Sequence, residues 1–249
     1  MGKVLDYINE AVRKNAVHMT LIDPDKQDPE EAGRISKEAQ HFGSSAIMVG
    51  GSTGVDLELT DRTVRRIKSN VSIPVISFPS SSGGLSPGFD AVYFLSMLNS
   101  TNPRHITGEQ AYASTLVKEF GIEPIGMGYI VIEPGMKVAE VGEADIIGRK
   151  EIRRAVGYAL AAEYFGMKLV YLEAGSGANK PVPPDMIIEV RKQISVPLIV
   201  GGGIRDADAA SLAVRSGADI VVTGTVVERN GGLNRLKEII GTIKKVRPG

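Results

Sequence analysis

The sequence predicts an α/β fold, a closed TIM-type (βα)8 barrel, and three observations carry that prediction. Eight short runs rich in Val, Ile and Leu alternate with longer amphipathic segments. The chain has 249 residues, a usual size for a barrel of eight such repeats. Neither a shift in composition nor a linker divides it, so we expect a single domain over residues 1–249. A doubly wound open sheet is the alternative fold.

The expected strands are nearly pure runs of apolar residues, as strands covered on both faces must be. They lie at Val17–Ile22, Ser45–Val49, Pro74–Phe78, Ala91–Leu95, Pro124–Ile132, Lys168–Glu173, Pro197–Val200 and Asp219–Thr223. Helical patterns lie between most of them, at Pro29–Phe42, Asp56–Asn70, Arg104–Phe120, Gly148–Phe165, Pro184–Ile194, Asp206–Ser216 and Gly232–Val246. A further amphipathic stretch, Leu5–Arg13, predicts an N-terminal helix that caps the bottom of the barrel.

One repeat breaks this pattern, between the third and fourth strands. About a dozen residues separate these strands, and they are rich in Ser, Gly and Pro. Such residues disfavour a helix, and a parallel crossover of that length leaves little room for one. We therefore expect the third helix to be missing or replaced by extended chain. We also expect the segment Pro79–Phe89 to be a mobile flap.

Composition excludes several classes of function. Lys plus Arg and Asp plus Glu number 29 each, so the chain lacks the basic character typical of nucleic-acid or anionic-membrane binding. It has no cysteine, which rules out disulfides, thiolate metal sites and cysteine nucleophiles. The three histidines are not spaced as zinc ligands. No signal-peptide core or membrane span is found, so we expect a cytoplasmic protein.

Glycine motifs follow the last two expected strands, and they are the strongest functional signal. Gly201, Gly202 and Gly203 follow the seventh strand, while Gly224 and Thr225 follow the eighth. In (βα)8 barrels the loops after these strands form phosphate sites, because glycine lets backbone N–H groups close on phosphate oxygens. The sequence therefore predicts a phosphate ligand.

Carboxylates at two other strand ends suggest acid–base and metal chemistry. Asp23 and Asp25 follow the first strand, where they could hold Mg²⁺ together with substrate phosphates; an Asp-Pro turn and helix cap is the alternative. Tyr171 and Glu173 alternate along the sixth strand and so point to one side of the sheet. If that side is the barrel interior, Glu173 can act as a general base; a salt-bridged structural Glu is the alternative.

A long stretch of the chain is almost free of charge. Residues 69–103 contain a single charged side chain, Asp90, and four of the 13 aromatic residues. An apolar groove for a hydrophobic ligand would explain this composition, and so would a buried oligomer interface. Composition does not separate the two explanations.

Six motifs together resemble the geranylgeranylglyceryl phosphate synthase family, particularly its second phylogenetic group. These motifs are HMTLIDPDK (18–26), IMVGGSTG (47–54), GMGYIVIEPG (126–135), YLEAGS (171–176), VGGGIR (200–205) and VTGT (222–225). The resemblance runs from the first strand to the last. It implies a barrel whose third helix is replaced, and a prenyltransferase that moves a geranylgeranyl group from its diphosphate to the C3 hydroxyl of sn-glycerol 1-phosphate. The product is the first ether-linked intermediate of archaeal membrane lipids.

The same resemblance implies roles for individual residues. The family's Mg²⁺ positions match Asp23 and Ser52. We expect Glu173 and Tyr171 to be the catalytic residues, with Glu173 orienting the glycerol hydroxyl and accepting its proton. The family's glycerol-phosphate contacts match Tyr171, Leu172, Glu173, Ala174, Gly175, Ser176, Gly202, Gly203, Gly224 and Thr225. The family also implies a homo-oligomer, either a dimer or a hexamer.

Three other functions remain open at this stage. The first is a heptaprenyl-type variant of the same reaction, since the sequence does not fix the length of the prenyl chain. The second is a phosphosugar isomerase or lyase, which would share the phosphate loops but need neither the groove nor Mg²⁺. The third is a non-catalytic phosphate-binding barrel with a structural role.

Overall fold

Eight parallel strands form a closed barrel in the computed structural model, which describes residues 2–51, 56–79, 84–228 and 231–246. The strands are β1 Val17–Ile22, β2 Ala46–Val49, β3 Val75–Ser77, β4 Ala91–Met97, β5 Glu123–Val131, β6 Leu169–Glu173, β7 Leu198–Gly201 and β8 Ile220–Thr223. They are ordered around the barrel as in the sequence, and β1 pairs with β8 at Met19 and Val222 to close it. The predicted barrel is confirmed, and the open sheet is wrong.

Nine α-helices accompany the strands in the described part of the chain. They are α1 Lys3–Lys14, α2 Pro29–Phe42, α3 Leu57–Lys68, α4 Glu109–Phe120, α5 Met136–Val141, α6 Ile152–Tyr164, α7 Pro184–Gln193, α8 Ala207–Arg215 and α9 Gly232–Ile243. A π-helical turn, Arg104–Gly108, leads into α4. Helix α2 has the bounds expected from sequence because both ends carry strong signals. Asp28 accepts a hydrogen bond from the Glu31 amide at 3.0 Å, and Gly43 ends the helix at φ 108°.

The apolar core has two layers, one inside the barrel and one between the strands and the outer helices. Helix α1 belongs to the inner layer: its buried residues Val4, Leu5 and Ile8 pack with the side chains that fill the barrel. The carboxylate of Glu123, where β5 begins, accepts hydrogen bonds from the Val4 and Leu5 amides at 2.8 and 2.9 Å. The helix therefore lies across the end of the barrel where the strands start.

The connection from β3 to β4 contains no α-helix among its described residues, which are 78–79 and 84–90. Leu85 and Phe89 are buried in the outer layer instead, so a short irregular segment with a turn covers part of the surface that a helix would cover. This confirms the expected loss of the third helix. Residues 80–83, the centre of the expected flap, lie outside the described residues.

Helix α5 was not expected from the sequence. It has six residues, fewer than two turns, and follows Glu133-Pro134-Gly135, so no apolar periodicity indicates it. Its position is nevertheless important, because it lies beyond the end of β5 where the strands' carboxyl ends meet. No helix in the described part of the chain has both the length and the apolar character that a membrane span requires.

Candidate active site

Two adjoining pockets lie at the carboxyl ends of the strands. The first, here called the apolar cleft, encloses about 1380 Å³, including space open to solvent. The second, here called the glycine pocket, encloses about 570 Å³ on the same basis. The residues that line both are Leu21, Glu173, Ser176, Gly224 and Thr225. A ligand that fills both pockets would therefore pass Glu173.

The glycine pocket is formed by the loops after β6, β7 and β8. Gly202 and Gly203 adopt φ angles of 78° and 71°, which favour glycine. A Cβ on Gly202 would lie 2.3 Å from Glu173 Oε1 and 2.5 Å from the Gly175 nitrogen, so a side chain there would displace the acid or the loop. Across the pocket, the Ser176 and Thr225 hydroxyl oxygens are 3.0 Å apart. Backbone amides and hydroxyls at this spacing are suited to phosphate oxygens.

Glu173 is a buried acid held by three hydrogen-bond donors. The Gly175 amide donates to its Oε1 at 2.6 Å, and the phenol groups of Tyr129 and Tyr171 also donate to the carboxylate. Burial raises the pKa of Glu173 above its ordinary value, and the three donors offset only part of that rise. The carboxylate is therefore a stronger base than one in water.

An aromatic cluster surrounds this acid. The Tyr129 and Tyr171 ring centres are 5.0 Å apart, and Phe78 lies 5.8 Å from each ring. Burial raises the pKa of both tyrosines well above the ordinary value, and the adjacent Glu173 charge acts in the same direction. Both phenols therefore stay protonated and act as donors to Glu173.

Asp23 faces the apolar cleft at the end of β1. Lys26 Nζ lies 3.3 Å from its Oδ2 and 3.0 Å from Glu228 Oε1. Gly51 leaves room beside the acid, because a Cβ there would lie 2.6 Å from Asp23 Oδ1. Ser52, the other expected metal position, lies outside the described residues.

The charged side chains around the apolar cleft are mainly acidic. Lys26 is the only Lys or Arg among its described lining residues, whereas four carboxylates line it: Asp23, Glu109, Glu173 and Glu228. Within the described residues no group of three or more acidic or His side chains could hold a metal ion. A divalent cation at Asp23 would therefore need further ligands, which a substrate diphosphate can supply, as is usual for Mg²⁺.

The apolar cleft continues over β4 and along one face of α4. Eight of its lining residues come from the charge-poor stretch: Phe78, Pro79, Leu85, Val92, Tyr93, Phe94, Leu95 and Met97. On α4 the cleft is lined from Glu109 to Val117, and the eight residue steps between them span about 12 Å. Val138 and Val141 of α5 complete the wall. This placement favours the groove explanation for the missing charge.

Comparison with known proteins establishes the family. The model of the PcrB family matches residues 9–246. The geranylgeranylglyceryl phosphate synthase of Thermococcus gammatolerans is 54% identical over 238 residues, 96% of this chain and 94% of its own. That of Pyrococcus horikoshii is 51% identical over 98% of this chain and 96% of its own. The chain belongs to the PcrB family of geranylgeranylglyceryl phosphate synthases.

Solved structures agree with this assignment. The geranylgeranylglyceryl phosphate synthase of Thermoplasma acidophilum, crystallised in complex with sn-glycerol-1-phosphate, has a TM-score of 0.95 and 42% identity, and the match covers 99% of this chain and all of that one. The Thermoplasma volcanium enzyme has the same TM-score and 45% identity, with 99% of each chain covered. A thiamine phosphate pyrophosphorylase from Pyrococcus furiosus, 12% identical with a TM-score of 0.60, shares the fold alone.

Most of the predicted site residues of this PcrB-family chain lie together. Tyr171, Glu173, Ser176, Gly202, Gly203, Gly224 and Thr225 all line the glycine pocket, and Gly175 contributes its amide to Glu173. Leu172 and Ala174 differ, because their side chains are buried in the outer layer of the core. They have only backbone groups to offer a ligand.

Several site residues of this PcrB-family chain were missed by sequence reasoning. Tyr129 reaches Glu173 because β5 and β6 pair in a register that sets Tyr129 opposite Tyr171. Arg205 Nη2 donates to the Gly177 carbonyl at 2.6 Å and to Asn179 Oδ1 at 3.1 Å, and so holds the loop after β6. Only the period-two alternation in β5 could have indicated Tyr129, and only once the register was known.

Proposed function

We propose that this PcrB-family chain transfers a geranylgeranyl group from its diphosphate to the C3 hydroxyl of sn-glycerol 1-phosphate. The observation that carries the proposal is the position of Glu173, a buried base where the glycine pocket and the apolar cleft meet. A small polar phosphate ester fits the first pocket, and a long apolar chain fits the second. The two substrates then meet beside Glu173.

The phosphate of sn-glycerol 1-phosphate is assigned to the loops after β6, β7 and β8. Ser176, Gly202, Gly203, Gly224 and Thr225 supply amides and hydroxyls there, and Tyr171 and Glu173 face the glycerol. The assignment is supported by the related Thermoplasma acidophilum enzyme, whose crystal structure contains sn-glycerol-1-phosphate. With the phosphate anchored in this way, the C3 hydroxyl points toward the cleft.

The reaction forms one bond and breaks another. The C3 oxygen forms a bond to C1 of the prenyl group while the bond from C1 to the diphosphate oxygen breaks, and the diphosphate leaves with its electron pair. The hydroxyl proton passes to the Glu173 carboxylate, whose raised pKa suits it to accept a proton. Tyr129 and Tyr171 orient the carboxylate by donating to it. The apolar walls keep water from the allylic carbon as it gains positive charge.

The diphosphate is assigned to the mouth of the cleft beside Asp23 and Lys26. Glu109 is already paired with Arg104, but Asp23, Glu173 and Glu228 also line the cleft, and Lys26 is the one Lys or Arg among its described lining residues. A divalent cation would therefore favour the binding of a polyanion there. We assign Mg²⁺ to Asp23, with Ser52 as a second ligand implied by the family, and Gly51 leaves the space beside the acid. Bound there, Mg²⁺ would neutralise charge on the departing diphosphate.

Chain length and assembly complete the proposal. A geranylgeranyl chain is assigned to the cleft, with a heptaprenyl-type chain as the alternative. We further propose a cytoplasmic homo-oligomer, a dimer or a hexamer, that makes the first ether bond of archaeal lipids. Exposed aromatic side chains support an oligomer: Tyr112 on α4 is 72% exposed, and Tyr164 and Phe165 at the end of α6 are 79% and 73% exposed.

The decisive experiment incubates the purified protein with sn-glycerol 1-phosphate, Mg²⁺ and prenyl diphosphates of several lengths, followed by extraction of lipid-soluble product. We expect an ether product, with geranylgeranyl diphosphate preferred. Preference for the heptaprenyl substrate would support the alternative, and no product with any length would contradict the proposal.

Asp23→Asn tests the metal assignment: turnover should be lost while sn-glycerol 1-phosphate binding, measured by calorimetry, is retained. Equal loss of both would indicate a structural Asp.

A further inference from the structure

We propose that Arg235 binds the phosphate of the acceptor substrate. It is the cation in the lining of the glycine pocket whose guanidinium has no other partner among the described residues. The inference rests on the proposed function, because it takes a phosphate monoester to be the ligand of this pocket. It adds a charged contact on α9 to the glycine loops. No motif in the sequence points to this residue, which lies ten positions beyond the last of those loops.

The position of Arg235 follows from helix geometry. Arg235 is the fourth residue of α9, which begins at Gly232. Side chains on a helix lean toward its N-terminus, so the guanidinium lies over the first turn of α9. Arg235 lines the glycine pocket together with Gly224 and Thr225, and it is the α9 residue in the described lining.

The pocket is lined by two arginines, and they differ in what they already bind. Arg205 is engaged with Gly177 and Asn179, so its role is to hold the loop after β6. The Arg235 guanidinium has no hydrogen-bond or ion-pair partner anywhere in the described part of the chain. It is also exposed, so its charge costs little desolvation before the ligand arrives.

Charge balance explains why the pocket needs such a group. A phosphate monoester is close to a dianion at neutral pH, and the glycine amides and hydroxyls of the pocket carry no net charge. Arg205, which is bonded to two uncharged oxygens, offsets one of the two negative charges at most. The buried carboxylate of Glu173 lies on the wall of the same pocket and repels an anion. Arg235 offers a planar donor set that matches phosphate oxygens in pairs.

The experiment measures binding without prenyl diphosphate or metal, so it does not depend on turnover. Wild type, Arg235→Gln and Arg235→Lys are titrated calorimetrically with sn-glycerol 1-phosphate, and inorganic phosphate is then used as a competitor. Lys237→Gln is the matched control, because this substitution changes the net charge by the same amount as Arg235→Gln. Lys237 lies on the same helix, but its Nζ is 5.9 Å from the centre of the Phe42 ring and it does not belong to the pocket lining. Folding of each variant is checked by its thermal unfolding.

We expect Arg235→Gln to weaken both sn-glycerol 1-phosphate and inorganic phosphate by about ten- to a hundredfold, the usual loss for a charge-assisted hydrogen bond. Arg235→Lys should lose less, and Lys237→Gln less than twofold. Equal losses for Arg235→Gln and Lys237→Gln would reduce the effect to net charge and overturn the assignment. So would unchanged phosphate binding by Arg235→Gln. A wild type that binds no sn-glycerol 1-phosphate would instead overturn the proposed function.

Discussion

Acidification should destabilise this barrel through one buried histidine, His18 on β1. Its ring is fully buried between two hydroxyl groups: Nε2 lies 2.9 Å from the Thr223 hydroxyl and Nδ1 lies 3.2 Å from the Ser44 hydroxyl. The Ser44 hydroxyl is itself 3.1 Å from Thr20 Oγ1. Burial lowers the pKa of His18 from 6.5 to about 3. No acidic side chain is among these neighbours to stabilise the protonated ring.

The sign of the effect follows from which state takes up the proton first. Between pH 6.5 and about 3 the unfolded chain holds a proton on His18 and the native protein does not, so stability falls as pH falls through this window. One pKa unit corresponds to about 1.4 kcal/mol. Lowering the pH from 6.5 to 4.5 should therefore cost roughly 2–3 kcal/mol from this group alone, as an order of magnitude.

The assay compares denaturant unfolding of the wild type and His18→Gln from pH 7.5 to pH 4.5. Gln keeps a polar group near Thr223 but does not titrate, so the unfolding free energy of the variant should depend less on pH. Any stability deficit of the variant relative to the wild type should therefore shrink as the pH falls. Taking the difference between the two proteins cancels the contribution of Glu173, whose raised pKa acts in the opposite direction. Parallel curves would refute the reasoning, because His18 would then titrate alike in both states.

Three substitutions test the two pockets. Glu173→Gln should lower the turnover number by about 100- to 10,000-fold, with a smaller loss of sn-glycerol 1-phosphate affinity; weaker affinity with an unchanged single-turnover rate would rule out a base. Gly202→Ala should abolish sn-glycerol 1-phosphate binding in calorimetry, because the added Cβ would collide with the Glu173 carboxylate. Gly166→Ala is the control: its φ is 81° and nothing lies within 4 Å of the added Cβ, so it should cause backbone strain but leave binding unchanged. Ala113→Phe narrows the cleft and should lower kcat/KM for geranylgeranyl relative to farnesyl diphosphate at least about tenfold, whereas exposed Ser114→Phe should not.

The barrel could be predicted from sequence because its signals are local. Each strand is a short apolar run, and the bounds of α2 are marked by Asp28 before Pro29 and by Gly43 after Phe42. The glycine pocket could be predicted for the same reason, because Gly202 and Gly203 follow a strand directly.

The walls of the apolar cleft could not be predicted in this way. Val117 and Val141 are ordinary apolar residues of two helices, and nothing in their neighbourhood distinguishes them from core positions. Their role depends on how α4 and α5 sit over β4, which is a tertiary relation. The role of Tyr129 could not be predicted for a similar reason, since its contact with Glu173 depends on the register of β5 against β6.

The packing of α1 beneath the barrel also determines how late in translation this helix can reach its native contacts. Helix α1 leaves the ribosome before the strands that it packs against, and Glu123, which accepts a hydrogen bond from the Val4 amide, lies 119 residues further along the chain. The last partner strand, β8, pairs Ile220 with Val17. At about 5–20 residues per second, the ribosome needs roughly 10 s or more to deliver that strand. The apolar face of α1 therefore has no packing surface until the barrel forms, and the nascent chain is exposed to aggregation until β8 closes the barrel.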